Sequence, residues 1–220
     1  MPNWIQRILG TTLTARLYFG QILIKPSSHG FVLTHRDDES LDQLQTFRDE
    51  QDAIEIAKSD DAGGYRPLKT APNMRHGWRL NVTTMEELRR ALDYFYPGRL
   101  ALFAAWKTSG LQTTPLRDTL ERQSGMYRIA AKISDEQIED VVANFCRSNG
   151  GCLRTILWNR DRSGAVASTR LPKQKFDPAV DQAFVRPESP PPATVPLLCQ
   201  EACNLLVAEC RKIVKGESAS

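Results

Sequence analysis

Histidine is scarce in this sequence, with three copies in 220 residues, at positions 29, 35 and 76. No Gly-rich phosphate loop, nucleophile elbow or His-Glu zinc helix is present, which excludes the commonest nucleotide-binding, hydrolase and zinc-protease motifs. No apolar stretch approaches the length that spans a bilayer. Charge of one sign is missing too: 29 basic side chains against 26 acidic ones leave a formal net charge of +3, with no dense Lys/Arg block. That is a solvated mixed-charge surface rather than a nucleic-acid footprint. The N-terminal "MPNWIQRILGTTLTARLYFG" has no compact apolar core and no clear cleavage site, so a secretory signal is not expected. Arg7, Arg16 and the threonines resemble a transit peptide only faintly, because the residues after them already read as strand. The expectation is a protein of a reducing, cytoplasmic compartment, with neither nucleic acid nor membrane as partner.

Cysteine is absent from the first 145 residues and then appears at 146, 152, 199, 203 and 210. In a reducing compartment, clustered cysteines point to a metal or redox site more than to disulfides. Five is an odd number, so any disulfide scheme leaves a thiol over.

What is there in quantity is ordinary globular material, 41% hydrophobic and 25% charged. Residues 16–35 read as two β-rich runs around a Pro-Ser-Ser-His-Gly turn, a hairpin. Residues 39–58 are polar with helical stretches that stop at Gly63-Gly64, and "DDAGG" (60–64) is a turn without the alternating acids of a calcium loop. "GWRLNV" predicts a strand. In "TTMEELRRALDYFYPG", either Thr83 with Glu86 or Thr84 with Glu87 can form a capping box; Leu88, Leu92 and Phe95 form the apolar stripe, and Pro97-Gly98 ends the helix. "RLALFAAWKTSG" predicts a returning helix. Pro115 opens a short one, followed by an extended piece around Met126–Ala130. Ser134 and Gln137 cap a helix with Ile138, Val141, Val142 and Phe145 on one face, and "CLRTILWNRD" predicts a buried strand. Seven prolines between 161 and 196 exclude a continuous element there and predict an extended arm. The last helix is expected from Pro196–Cys199 to about Lys215. Trp78, Trp106 and Trp158 are expected in the core or a seam.

Cys146 lies at a helix end and Cys152 beyond "RSNGG", whose glycines permit a tight reversal. Cys199 and Cys203 are expected one turn apart at a helix start, where the positive end of the dipole stabilises thiolates. Arg147 and Arg154 flank the first pair and can offset negative charge. Two pairs make four ligands, the number taken by an iron–sulfur cluster or a structural zinc. The spacings match neither common zinc runs nor ferredoxin patterns, and pattern alone supports a metal site and buried thiols about equally. Cys210 lies about 10 Å further along the helix, too far for the same ligand shell, and reads as core packing.

The segments "RPLKTAPNMRHGWRLNV", "ALDYFYPG", "ERQSGMYRIAAKI", "CRSNGGCLRTILW" and "PLLCQEACNLLVAECRK", in that order, resemble a family found with CbiX-type sirohydrochlorin cobaltochelatase domains. In that family the corresponding region is a stabilising α/β domain followed by a 4Fe-4S cluster-binding domain. The resemblance covers roughly residues 30–215. It implies Cys146, Cys152, Cys199 and Cys203 as ligands of a [4Fe-4S] cluster, and packing for Cys210. The chelatase half itself is missing from the sequence given. His29, in "SSHGF", resembles a chelatase His-Gly but falls in a hairpin turn, so no catalytic residue is assigned and no enzyme activity of this chain alone is expected. In "RQSGMYR", Arg122, Gln123, Tyr127 and Arg128 are a polar lining or an anion contact for a propionate-bearing tetrapyrrole on one reading. On the other, favoured by the residue types, Met126 and Tyr127 pack while the arginines pair.

The sequence therefore predicts an α/β (α+β) protein. Residues 1–130 form a mixed stabilising module, and residues 131–220 a four-cysteine iron–sulfur module carrying the Pro-rich arm 161–196. The expected role is electron transfer, redox sensing or structural support linked by resemblance to tetrapyrrole metabolism, with a separate chelatase or a redox protein as partner. A zinc-stabilised interaction module on the same thiolates, or a metal-free scaffold, is the alternative.

Overall fold

The computed structural model describes residues 16–67, 73–147, 152, 154–165 and 193–217. They fall into two units, one of residues 16–109 with 193–197, the other of 110–165 with 198–217. Most of the Pro-rich arm, residues 166–192, lies outside the described residues. Among the described residues no helix is long and apolar enough to cross a membrane.

The first unit is a six-stranded mixed sheet. In chain order its strands are β1 (Leu17–Phe19), β2 (Ile22–Ser27), β3 (Gly30–His35), β4 (Gln45–Phe47), β5 (Trp78–Val82) and, late in the chain, β7 (Ala193–Val195), arranged as β4-β5-β3-β2-β1-β7. β1 to β3 and β5 pair antiparallel, whereas β4 on β5 and β7 on β1 are parallel. The expected hairpin is β2–β3, with Ser27 opposite Gly30. β5 alternates as a half-buried strand should, with Trp78, Leu80 and Val82 inside. Helices α1 (Asp52–Lys58), α2 (Met85–Phe95) and α3 (Arg99–Lys107) complete the unit. Of the two capping boxes the sequence allows, Thr84 with Glu87 forms, and Leu88, Leu92 and Phe95 are buried. Phe95 stacks on Trp78 with centroids 5.0 Å apart, while the Tyr96 hydroxyl accepts the Gln21 N–H at 2.9 Å. Trp106, expected inside, is 44% exposed near the end of α3 beside Phe103 and Lys107, because the helix buries Leu100 and Phe103 instead.

Under β3 lies a polar knot. His35 is fully buried, with its ring against that of His76 (centroids 3.9 Å apart). His76 sits between two carboxylates, Nδ1 at 3.3 Å from Asp38 Oδ1 and Nε2 at 3.1 Å from Asp61 Oδ2. Burial, then the nearby His76, Arg36 and Arg66 charges, push the His35 imidazole down to about 3.

The second unit contains α4 (Leu116–Glu121), a 3-10 helix Gly125–Lys132, α5 (Asp135–Val141), the short strands β6 (Thr155–Ile156) and β8 (Leu198–Cys199), and α6 (Asn204–Lys215). β6 and β8 pair in parallel. Its core holds Leu116, Leu120, Ala130, Ile133, Ile138, Val142, Trp158 and Leu206. Residues 116–130 therefore belong with the cysteine-bearing segments, and the division falls at Ser109/Gly110 rather than near residue 130. The physical reason is that Leu116 and Leu120, one turn apart on α4, are buried in this second core. Three further differences are local. The piece around Met126–Ala130 is a 3-10 helix rather than extended; "CLRTILWNRD" contributes only two strand residues; the last helix starts at Asn204, not near Cys199.

Two outcomes follow for the first unit. Gly30 has φ +132°, and a Cβ there would run into the Val82 carbonyl oxygen; Gly30→Ala is expected to cost about 2 kcal/mol or more in urea unfolding, and an unchanged midpoint would contradict the β3–β5 approach. An unfolded histidine takes up its proton near pH 6.5, but folded His35 resists until about 3. Between those values the unfolded chain binds more protons, so stability falls as pH falls. About 2 kcal/mol should be lost between pH 7 and pH 5, and His35→Gln should flatten that slope.

Candidate metal centre

Each of the four thiols that the sequence singles out is delivered by a break in regular structure. α5 has the expected Ser134–Gln137 capping box, then widens into a π turn over Val142–Cys146. The wider turn rotates Cys146 off the register of the buried Ile138 and Val141. Cys152 is buried. Cys199 closes β8, opposite Ile156 of β6, and its carbonyl accepts the Leu157 N–H at 2.9 Å. Cys203 is the extended N-cap residue of α6. Cys199 is thus on a strand, not on the helix. The sequence argument for a helix start survives for Cys203 alone, which adjoins the first-turn N–H groups that lack intrahelical partners.

These four thiols lie near enough to act on one another electrostatically. Burial pushes the Cys146 thiol well above the usual range, and the Cys152, Cys199 and Cys203 thiols raise it further. Cys199 is likewise raised by burial and by Cys152 and Cys203, against the pull of the Trp158 indole and the Arg154 charge. Arg147 lowers Cys146 in the same way. Cys146 and Cys199, so placed, are neutral without metal, and iron or zinc would displace their protons. The Arg147 Nε is buried with no hydrogen-bond partner among the described residues. A donor left over beside four thiols fits an anionic group that brings its own acceptors. Cys210 lies elsewhere, fully buried within the apolar core, with its thiol pushed up to about 12 by burial.

Among the described residues, the ligand atoms of His, Cys, Asp and Glu gather three together within 4.8 Å only at His35, Asp38 and His76.

The His35–Asp38–His76 group itself escaped the sequence reading, since its members come from β3, the turn after it and the loop before β5. It is not built to coordinate. His35 meets His76 ring to ring, and its own nitrogens face Gln21 Nε2 at 3.1 Å and the Asp37 N–H at 3.2 Å. Imidazole lone pairs lie in the ring plane, so they do not converge with the others on one point. His29 is in the β2–β3 turn, as expected.

Around "RQSGMYR", Arg122 pairs with Glu201, the Gln123 amide donates to the Thr119 carbonyl at 2.8 Å, and Arg211 lies over the Tyr127 ring at 5.7 Å. Pairing describes these residues, but Met126 is 66% exposed rather than packed.

Thiols on a π turn, a strand end and a helix N-cap, with Arg147 acting on Cys146 and Arg154 on Cys199, suit a thiolate-bound metal centre. Residues 108–212 match the family described as the 4Fe-4S iron-sulfur cluster binding domain, and residues 7–109 match the DR2241 stabilising domain. The chain thus matches the two domains one after the other, and its cofactor is a [4Fe-4S] cluster. It is also similar to a crystal structure of DR2241 from Deinococcus radiodurans, at 27% identity and a TM-score of 0.74, over 96% of this chain. That protein is described as multi-domain, with structural similarity to chelatases and with two additional novel domains. This chain spans 41% of its length. No curated protein matches the chain.

Proposed function

We propose that Cys146, Cys152, Cys199 and Cys203 ligate the cluster and that the second unit carries single electrons for a tetrapyrrole-handling or redox partner protein. The observation that carries this reading is that thiols from two segments about fifty residues apart act on one another, with Arg147 acting on Cys146. Four protein thiolates fill the four iron corners of a cubane, leaving none open for a substrate. Chemistry on a bound molecule is therefore not what this site is suited to; accepting and passing an electron is. The likeness to a protein with chelatase similarity supports tetrapyrrole metabolism as the setting, with a chelatase as the partner. Arg147 and Arg154 would balance the cluster's charge, and burial would keep solvent from it.

Anaerobic purification followed by iron, sulfide and zinc analysis tests the reading. Four irons and four sulfides per chain are expected, with visible absorption that dithionite bleaches. One zinc and no colour would make the thiols a structural staple; a cluster that dithionite and stronger reductants leave untouched would remove the electron-transfer role. Cys203→Ala is expected to lose most of the bound iron, whereas Cys210→Ala should keep it while lowering the unfolding midpoint, since Cys210 lies wholly in the core. Full iron content in Cys203→Ala would overturn the ligand set.

A further inference from the structure

Trp158 is 2% exposed in the second core, yet its one polar atom is not left idle. The indole N–H donates to Cys199 Sγ at 3.2 Å, and among the described residues it makes no other hydrogen bond. The backbone fixes this contact. β6 runs parallel to β8 with Ile156 opposite Cys199, the Leu157 N–H bonds the Cys199 carbonyl, and the next residue is Trp158. Buried indoles normally find an oxygen acceptor. A neutral thiol is a weak acceptor, whereas a hydrogen bond to an ionised group is roughly twice as strong. The contact is thus weak in the metal-free protein and strong once Cys199 is a thiolate. The thiol proton of Cys199 now points to the Glu201 carbonyl at 3.3 Å. Ligation removes that proton and leaves the indole as the donor to this sulfur.

We propose that Trp158 is a tuning residue for the cluster, raising its reduction potential through the indole hydrogen bond to the Cys199 sulfur. This rests on Cys199 being a cluster ligand. One electron taken by a [4Fe-4S]2+ core bound to four thiolates moves the whole from charge −2 to −3, and part of the added charge falls on the ligand sulfurs. A donor at the sulfur stabilises the more negative state more, so the reduced form gains. The aromatic body also excludes water, a role that Phe can fill; the N–H is what Phe lacks.

The experiment compares wild-type and Trp158→Phe holoprotein by redox titration followed through visible absorption and electron paramagnetic resonance. The expected result is a midpoint more negative by about 59 mV, a tenfold change in the reduced-to-oxidised ratio at fixed potential, with iron and sulfide content retained. An unmoved midpoint with full cluster content overturns the proposal, because a purely structural tryptophan would alter yield or stability and not potential. Should the variant fail to take up cluster, the wild-type protein decides the matter. With 15N-indole tryptophan and dithionite as reductant, pulsed resonance of the reduced cluster should show an indole nitrogen coupling and an exchangeable proton; absence of both overturns the assignment. A wild-type chain without cluster would instead overturn the function proposed above together with this role, so the two failures are told apart by the iron analysis.

Discussion

Four neighbouring thiols, two of them buried and two half-buried, are the constraint on which the second unit depends. As thiolates they repel one another, and low local polarity magnifies that repulsion. As thiols they are poor acceptors, and the Nε of Arg147 has no hydrogen-bond partner among the described residues. A polynuclear iron core resolves both problems at once, supplying positive charge to the thiolates and sulfides as acceptors. The surrounding groups are what such an anion requires. Arg147 acts on Cys146 and Arg154 on Cys199, the Trp158 N–H meets the Cys199 sulfur, and Cys203 caps the N-terminus of a twelve-residue helix.

Convergence on one centre is hard to obtain from regular elements, because a helix turns successive side chains through about 100° and a strand alternates them. The structure meets this by placing the proposed ligands where regularity fails. A π turn carries Cys146, a two-residue strand carries Cys199, and an extended N-cap carries Cys203. Backbone hydrogen bonds fasten the irregular stretch: Leu157 N–H to Cys199 O, Thr114 N–H to Gln200 O, and Leu116 and Arg117 N–H to the carbonyls of Asn159 and Arg160. These cross-links hold the ligand segment without requiring a long strand there.

What was legible in the sequence is what is decided locally. The capping boxes at Thr84 and Ser134, the stripe of Leu88, Leu92 and Phe95, and the β2–β3 turn depend on neighbours within a few positions, and they stand where expected. Cys199 was misplaced onto the helix because its strand exists only by pairing with Thr155 and Ile156, more than forty positions away. The same non-local cause hid β4, which is short, largely exposed and held by parallel pairing to β5. The unit boundary falls earlier than the sequence predicts because Leu116 and Leu120 of α4 are buried in the second core, whereas the 3-10 helix Gly125–Lys132 buries only Ala130 there. The Cys146/Cys152 and Cys199/Cys203 pairs were visible as pairs. That they meet was carried by the family resemblance and not by spacing.

The site and the core of the second unit are not separable parts. Cys199 and Trp158 are members of the apolar cluster that also holds Leu206 and Cys210, and Cys146 and Cys203 pack against its edge. With Cys199, a proposed ligand, inside this small core and Cys146 and Cys203 at its edge, cluster binding would be part of the folding free energy of this unit. The first unit has a different footing: its six-stranded sheet and the Trp78–Phe95 contact stand without any thiol. Loss of a ligand should therefore loosen one unit while leaving the other folded. It follows that iron content and unfolding of the second unit move together for any substitution at the pocket, and only a property of the bound cluster, such as its potential, separates a residue that tunes the cluster from one that merely packs beside it.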